Sequence, residues 1–310
     1  MRPDDWQLTE DIDDFLARAG EFLRSRPVMH NTPLTTLEKL RTRGADAYGT
    51  GATLFGRLES EGEVRAIFYR TPRGRLTLTT LSPEQADTLA AQLADLGRPF
   101  SGVTADHGTA TAFAEAWQRH TGAAPVRDWR GRLHRLGTLT PPEPRPEGRG
   151  RLVGERDHEH LMRWCREFAA DVGEVVSIDA GSWAGTRFAE KRYTFWETPD
   201  GTPVSMAGVN PMVAGQVRVD PVYTPAHLRG RGYAGAVTVE VSRAALAAGA
   251  TDVVLFTDPA NPTSNALYQR IGYVPVTDFT GYRLSSARRK PARNTEGGDG
   301  ECSDVISSYR

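Results

Sequence analysis

The residues best suited to chemistry by type and spacing lie in one run, Val217-Arg218-Val219-Asp220-Pro221-Val222-Tyr223-Thr224-Pro225-Ala226-His227-Leu228-Arg229-Gly230-Arg231-Gly232-Tyr233-Ala234. The run reads as strand, loop and helix. Gly230 and Gly232 permit backbone angles and close approaches closed to other residues, so successive N–H groups can converge on an anion at the N-terminus of the following helix. A pyrophosphate suits such a cradle. Pro221 and Pro225 mark a bulge or an edge, because proline cannot donate to a sheet ladder, and this leaves the backbone of Val222, Tyr223 and Thr224 free. A ligand containing amides pairs with such a free stretch as an added strand does, and pantetheine carries two amides ahead of a pyrophosphate.

The elements that must hold this run in place follow from apolar spacing. Helices are expected at Asp157 to Val172 and Gly181 to Lys191, then strands at Arg192 to Glu197, Pro203 to Val209 and Gln216 to Tyr223. After the glycine loop come a helix from Tyr233 to Ala248, a strand from Asp252 to Thr257, a helix from Pro262 to Ile271 and a strand from Thr280 to Leu284. The first half repeats that order without repeating its sequence. Its helices are expected at Asp11 to Arg26, Leu34 to Arg43, Pro83 to Leu96 and Gly108 to His120. Its strands are expected at Thr53 to Leu58, Val64 to Tyr69, Leu76 to Thr80, Ser101 to Thr104 and Arg132 to Gly137. Where the second half has its glycine loop, the first has only Ser82 and Pro83. Four prolines between Thr140 and Gly150 exclude a helix or a central strand there and mark a linker.

The loop resembles that of the GNAT superfamily of acyl-CoA N-acyltransferases, in which Gln or Arg is followed by two residues, Gly, one residue, and Gly or Ala. Here His227-Leu228-Arg229-Gly230-Arg231-Gly232 departs only at its first position, whose side chain is not part of a cradle made of backbone N–H groups. A second match lies in Asn261, Ser264 and Tyr268, followed by Gly272-Tyr273. The resemblance spans most of Arg151 to Leu284. It implies a mixed α/β fold, a largely antiparallel sheet flanked by helices, with two GNAT-like domains in tandem. The expected boundaries are 1–139 for a degenerate domain without a CoA loop, 140–150 for the Pro-rich linker, 151–285 for the catalytic domain and 286–310 for a disordered tail.

The resemblance further implies that acetyl-CoA is held by Val222, Tyr223, Thr224, Arg229, Gly230, Arg231, Gly232, Tyr233, Ala234, Asn261 and Ser264, and that its acetyl group passes directly to a primary amine of a small-molecule acceptor. The N–H of Tyr223 or a neighbour would polarise the thioester carbonyl, and Tyr268 would protonate the departing thiolate. Asp220, Glu197, Glu167, Asp171 and Glu174 are all candidate bases near the acceptor, and the sequence does not choose among them. Transfer of another acyl or aminoacyl group, or a CoA-binding sensor without turnover, are the alternatives.

Other readings of the same residues are weaker. Gly230-Arg231-Gly232-Tyr233-Ala234-Gly235 also spells the dinucleotide fingerprint, but there the first glycine follows its strand at once, whereas Thr224 to Arg229 intervene here. A phosphate-binding P-loop would need Lys followed by Ser or Thr after the glycines. Asp157-His158-Glu159-His160 reads as a charged helix start rather than a metal site, and no metal is expected. Arg127, Arg130, Arg132 and Arg135 around Trp129 read as a solvated strand. Lys plus Arg (38) nearly equals Asp plus Glu (39), so no global field draws the chain to nucleic acid or anionic lipid. Cys165 and Cys302 do not make a disulfide framework, and no apolar run approaches the ~20 residues that span a bilayer. A cytoplasmic protein is the expectation, without nucleic-acid or membrane partners; nothing in the sequence argues for or against a homo-oligomer.

Overall fold

The computed structural model describes residues 6–284 apart from 73, 98, 99 and 175; the expected disordered tail, Cys302 included, lies outside the described residues. Two compact units divide the chain, one holding residues 6–130 and 278–284, the other 131–277.

The first unit begins with β1 (Trp6–Thr9), α1 (Ile12–Ser25), α2 (Asn31–Arg43), β2 (Leu54–Ser60), β3 (Glu63–Arg70) and β4 (Leu76–Leu78). It continues through α3 (Pro83–Asp95), β5 (Gly102–Asp106), α4 (His107–Thr121) and the start of β6 (Pro125–Leu136). The second unit runs through β7 (Arg149–Leu152), α5 (His158–Asp171), β8 (Arg192–Glu197), β9 (Pro203–Val209) and β10 (Gln216–Tyr223), then α6 (Tyr233–Ala247), β11 (Asp252–Thr257), α7 (Pro262–Arg270) and β12 (Tyr273–Leu284).

Each unit builds the same sheet. In the first the order is β1-β2-β3-β4-β5-β12, antiparallel except between β4 and β5; in the second it is β7-β8-β9-β10-β11-β6, antiparallel except between β10 and β11. The units therefore exchange their last strands. Residues Phe279–Arg283 of β12 pair with Asp106–Gly102 of β5, and Arg132–Arg135 of β6 pair with Thr257–Val254 of β11. Boundaries drawn at 139 and 151 from the sequence differ from this division, because each final strand belongs to the unit its partner strand occupies.

Local chemistry explains most elements. In α1 the buried Phe15, Ala19 and Leu23 recur at four-residue spacing, and the Asp11 carboxylate caps the first turn by accepting from Asp13 N and Asp14 N. In the first unit one core, including Phe68, Leu76, Leu89 and Phe113, packs with α3 and α4, while Phe15 of α1 stacks on Phe55 of β2 at 4.9 Å outside it. The second unit has a core on each side of its sheet: Val237, Val253, Ile271 and Tyr273 with α6 and α7, and Leu161, Phe188, Phe195 and Met206 with α5. Burying each such aliphatic or aromatic side chain contributes about 1.5–3 kcal/mol.

Several expectations are corrected. Residues Gly181 to Lys191 do not form a helix; they contain only a 3-10 turn at Trp183–Gly185. The Asp179 carboxylate accepts from Gly181 N and Ser182 N, at 2.8 Å each, and this local turn competes with helical bonding. The strands expected at 132–137 and 280–284 are longer, Pro125–Leu136 and Tyr273–Leu284, and the short β1 escaped notice. The Pro-rich stretch is not a bare tether. Residues 149 and 150 open β7, an edge strand, and the Glu147 carbonyl accepts from Trp196 Nε1 at 3.1 Å.

Candidate active site

Every residue expected to hold acetyl-CoA, and Tyr268 with them, lines one cavity of about 760 Å³ in the second unit, within the range of roughly 300–1,000 Å³ usual for small-molecule sites. Two strands open it. β10 pairs with β11 only over Gln216–Arg218 against Asp252–Val254, although β11 continues to Thr257, so beyond Arg218 the two strands part. On its other side β10 stays joined to β9, with a register shift between Val219 and Val222 where Pro221 stands. The free backbone expected at Val222 to Thr224 is thus free on the β11 side only. Thr224 is steadied from behind by Ser205, whose hydroxyl shares a 2.8 Å hydrogen bond with Thr224 Oγ1 and donates to the Tyr223 carbonyl at 3.0 Å.

The loop enters α6 through left-handed backbone. Gly230 has φ 77° and Gly232, the N-cap, φ 81°, a region that costs other residues roughly 1–2 kcal/mol. Among the described residues no side chain caps α6, so the N–H groups of its first turn are left to the cavity. Arg229 does something else: its guanidinium folds back to donate to the Thr224 carbonyl at 2.9 Å and to pair with Asp171, which fixes the loop's shape. Asn261 and Ser264 also prove to be partly architectural. The Asn261 side chain is the N-cap of α7 and accepts from Ser264 N at 3.0 Å.

Tyr268 lies on the inner face of α7, its ring edge-on to Tyr273 at 6.0 Å. Burial and the neighbouring Asp220 carboxylate hold its phenol above the ordinary range, against a hydrogen bond with Ser264. Gly272, after α7, is required for close approach: a Cβ there would stand 1.8 Å from the Thr138 carbonyl oxygen. Asn265 was not anticipated. Its side chain accepts from Thr257 Oγ1 at 2.8 Å and donates to the carbonyls of Asp258 and Asn261, tying α7 to the end of β11. Its buried position eight residues after Thr257 carries no motif.

The five candidate acids separate in space. Glu197 is bound to Arg151 at 2.6 Å and does not line the cavity. Glu167 accepts from the Tyr223 hydroxyl at 2.7 Å, and burial together with that contact raises the Tyr223 phenol. Asp171 is half exposed against Arg229. Glu174 meets Arg187 at 3.1 Å. Asp220 alone is buried, 5% exposed, and faces the cavity, with Arg187 at 2.7 Å and Lys191 both on its Oδ2. Burial would raise its carboxyl, but Arg187, Lys191 and Arg218 outweigh that and hold it well below the usual range. Among the described residues no cluster suits a metal ion, and no helix is long and apolar enough to cross a membrane. Cys165 is a buried core residue whose thiol burial pushes up to about 12.

Comparison with known proteins agrees with this architecture. Residues 216–282 match the family model described as FR47-like protein, which is GNAT-related. No curated protein matches the chain. An acetyltransferase of the GNAT family from Colwellia psychrerythraea is similar over 91% of this chain and 100% of its own, with TM-score 0.58 and 10% identity. A GCN5-related N-acetyltransferase from Sphaerobacter thermophilus covers 91% of this chain and 96% of its own, with TM-score 0.54 and 17% identity. A tandem GNAT protein from the clavulanic acid biosynthesis pathway covers 92% and 100%, with TM-score 0.51 and 13% identity. The chain has the GNAT fold, twice in tandem, and its FR47-like segment supplies all of the cavity lining except Phe168, Asp171 and Val172.

Proposed function

We propose that the second unit binds acetyl-CoA in this cavity and transfers the acetyl group directly to the primary amine of a small-molecule acceptor. The observation that supports this most is the uncapped N-terminus of α6, opening through two left-handed glycines onto the same cavity as Tyr268. The first-turn N–H groups and the helix dipole suit a pyrophosphate. The open side of β10 suits the amides of pantetheine.

An N–H of β10 at Tyr223 or a neighbour polarises the thioester carbonyl. The amine nitrogen then bonds to the carbonyl carbon, the carbon–sulfur bond breaks with its electron pair going to sulfur, and Tyr268 gives the sulfur a proton. A phenol raised by burial stays protonated through neutral pH, as this role requires.

Calorimetric titration with CoA, followed by thiol release from acetyl-CoA in the presence of primary amines, tests the proposal. One CoA site per chain and amine-dependent thiol release are expected. A chain that does not bind CoA sinks the proposal outright; one that binds it yet releases no thiol with any amine is a sensor.

A further inference from the structure

Asp220 is unlike the other acids of the site in one respect. Its Oδ2 takes both Arg187 and Lys191, while its Oδ1 is buried without a hydrogen-bond partner among the described residues, in a side chain that lines the cavity. A buried carboxylate oxygen left empty costs free energy unless something occupies it in the working state. Six groups surround it: Arg187 and Lys191 from the segment before β8, Arg218 from β10 itself, Tyr193 from β8, Cys165 from α5 and Tyr268 from α7, and Arg187 is shared with the Glu174 carboxylate at 3.1 Å. Three are cations, and the other three are neutral hydrogen-bonding groups.

Resting on the acetyl-transfer reading above, we propose that Asp220 Oδ1 receives an N–H of the acceptor amine and that the cations behind Asp220 force that amine into its neutral, nucleophilic form, so that the site needs no separate base to deprotonate an ammonium. Lys191 is an internal copy of the acceptor. It is itself a primary alkylamine, its side chain 5% exposed and in contact with the same carboxylate. Burial, Arg187 and Arg218 nevertheless push it down to about 8, against the pull of Asp220. An acceptor amine on the opposite oxygen meets Lys191 as an additional cation. An acceptor held below its free value of ~10 has a neutral fraction at pH 7 above the roughly one in a thousand it has in water.

The proton balance is complete. The ammonium sheds one proton to water on docking; after attack the nitrogen sheds a second by way of Asp220 Oδ1, and this replaces the proton that Tyr268 gives to sulfur.

The full chain, saturated with acetyl-CoA, is assayed with n-butylamine, tyramine and spermidine from pH 6 to 10, as wild type and as Lys191→Met and Asp220→Asn. The pH dependence of kcat reports groups in the bound complex. Half-maximal kcat is expected at a pH well below the free amine's ~10 in the wild type, with Lys191→Met shifting it upward by about one unit because one opposing cation is gone. Asp220→Asn should raise KM for the amine at least ~10-fold at unchanged CoA affinity. A Lys191→Met protein with an unshifted midpoint and only a lowered melting temperature makes Lys191 merely structural and overturns the proposal. So does the absence of turnover with all three amines in a chain that binds CoA, whereas failure to bind CoA at all refutes the acetyl-transfer reading instead. Should Asp220→Asn not fold, the Lys191→Met shift decides alone.

Discussion

The two units solve the same local problem in opposite ways. In the first, the strand β4 runs into α3 through Ser82, whose hydroxyl accepts from Gln85 N at 3.2 Å while the Gln85 side chain accepts from Ser82 N at 2.9 Å. This capping box uses up donors that a helix start leaves over. In the second, β10 runs into α6 through Gly230 and Gly232, and among the described residues no side chain caps the helix. The second helix pair differs just as simply. Both α4 and α7 begin with a side-chain cap to the third helical residue, Asp106 to Thr109 N at 3.1 Å and Asn261 to Ser264 N at 3.0 Å. Seven residues beyond the cap stands Phe113 in one unit and Tyr268 in the other, both buried. The same fold is a self-satisfied scaffold where its helix starts are closed and its inner ring is apolar, and a candidate catalyst where a helix start is open and the ring carries a proton.

This contrast can be broken experimentally. The largest effect is expected from Gly232→Asp, which sets a carboxylate where the open helix start would receive phosphate. Like charges about 4 Å apart near a protein surface repel by about 4 kcal/mol, so CoA affinity should fall at least ~10²-fold in a folded chain. A Cβ at 232 meets only Pro146 at 3.6 Å, so the cost to the fold is the roughly 1–2 kcal/mol of left-handed backbone at φ 81°. Parental affinity in that variant, with normal circular dichroism, takes the loop out of the binding site.

Next comes Tyr268→Phe, which gives the second unit the ring the first already has. It should lower kcat by ~10²-fold with CoA affinity and melting temperature little changed, since a positioned general acid contributes about that much. An unchanged kcat, with the chemical step shown to limit the rate, removes Tyr268 from the mechanism.

The smallest effect belongs to Ser82→Ala. Losing the cap of α3 costs about 1 kcal/mol, or roughly 2–4 °C in melting temperature, with CoA affinity untouched. A loss of CoA affinity here would mean that the first unit's helix start binds ligand after all.

Much of this contrast was legible in the sequence because the features that carry it are local. Positive φ at 230 and 232 calls for glycine, a four-residue apolar spacing calls for a helix, and the strands Arg192–Glu197, Pro203–Val209, Gln216–Tyr223 and Asp252–Thr257 begin and end where the apolar pattern says. What was not legible is tertiary. The Arg187, Lys191 and Asp220 cluster joins residues about 30 positions apart, and nothing in the type or spacing of Asp220 sets it above Glu167 or Glu174 before its neighbours are known. The helix expected over 181–191 failed for a chemical reason, since a propensity argument weighs the helix and not the competing turn closed by Asp179. The strand exchange is likewise invisible to periodicity, which says that a segment is a strand and leaves its neighbour open.

That exchange has a consequence for how the protein is born. On the ribosome the first unit emerges early, yet the edge of β5 is closed by residues that appear far later: Thr280, which pairs with Ala105 and whose hydroxyl meets His107 Nδ1, lies 173 residues downstream of that histidine. At ~5–20 residues per second the nascent first unit waits about 10 to 35 s with an unpaired strand edge exposed, while the second unit already has β6 in hand when β11 arrives. The order of completion is thus the reverse of the order of synthesis, and a premature stop near the C-terminus harms the unit that was made first.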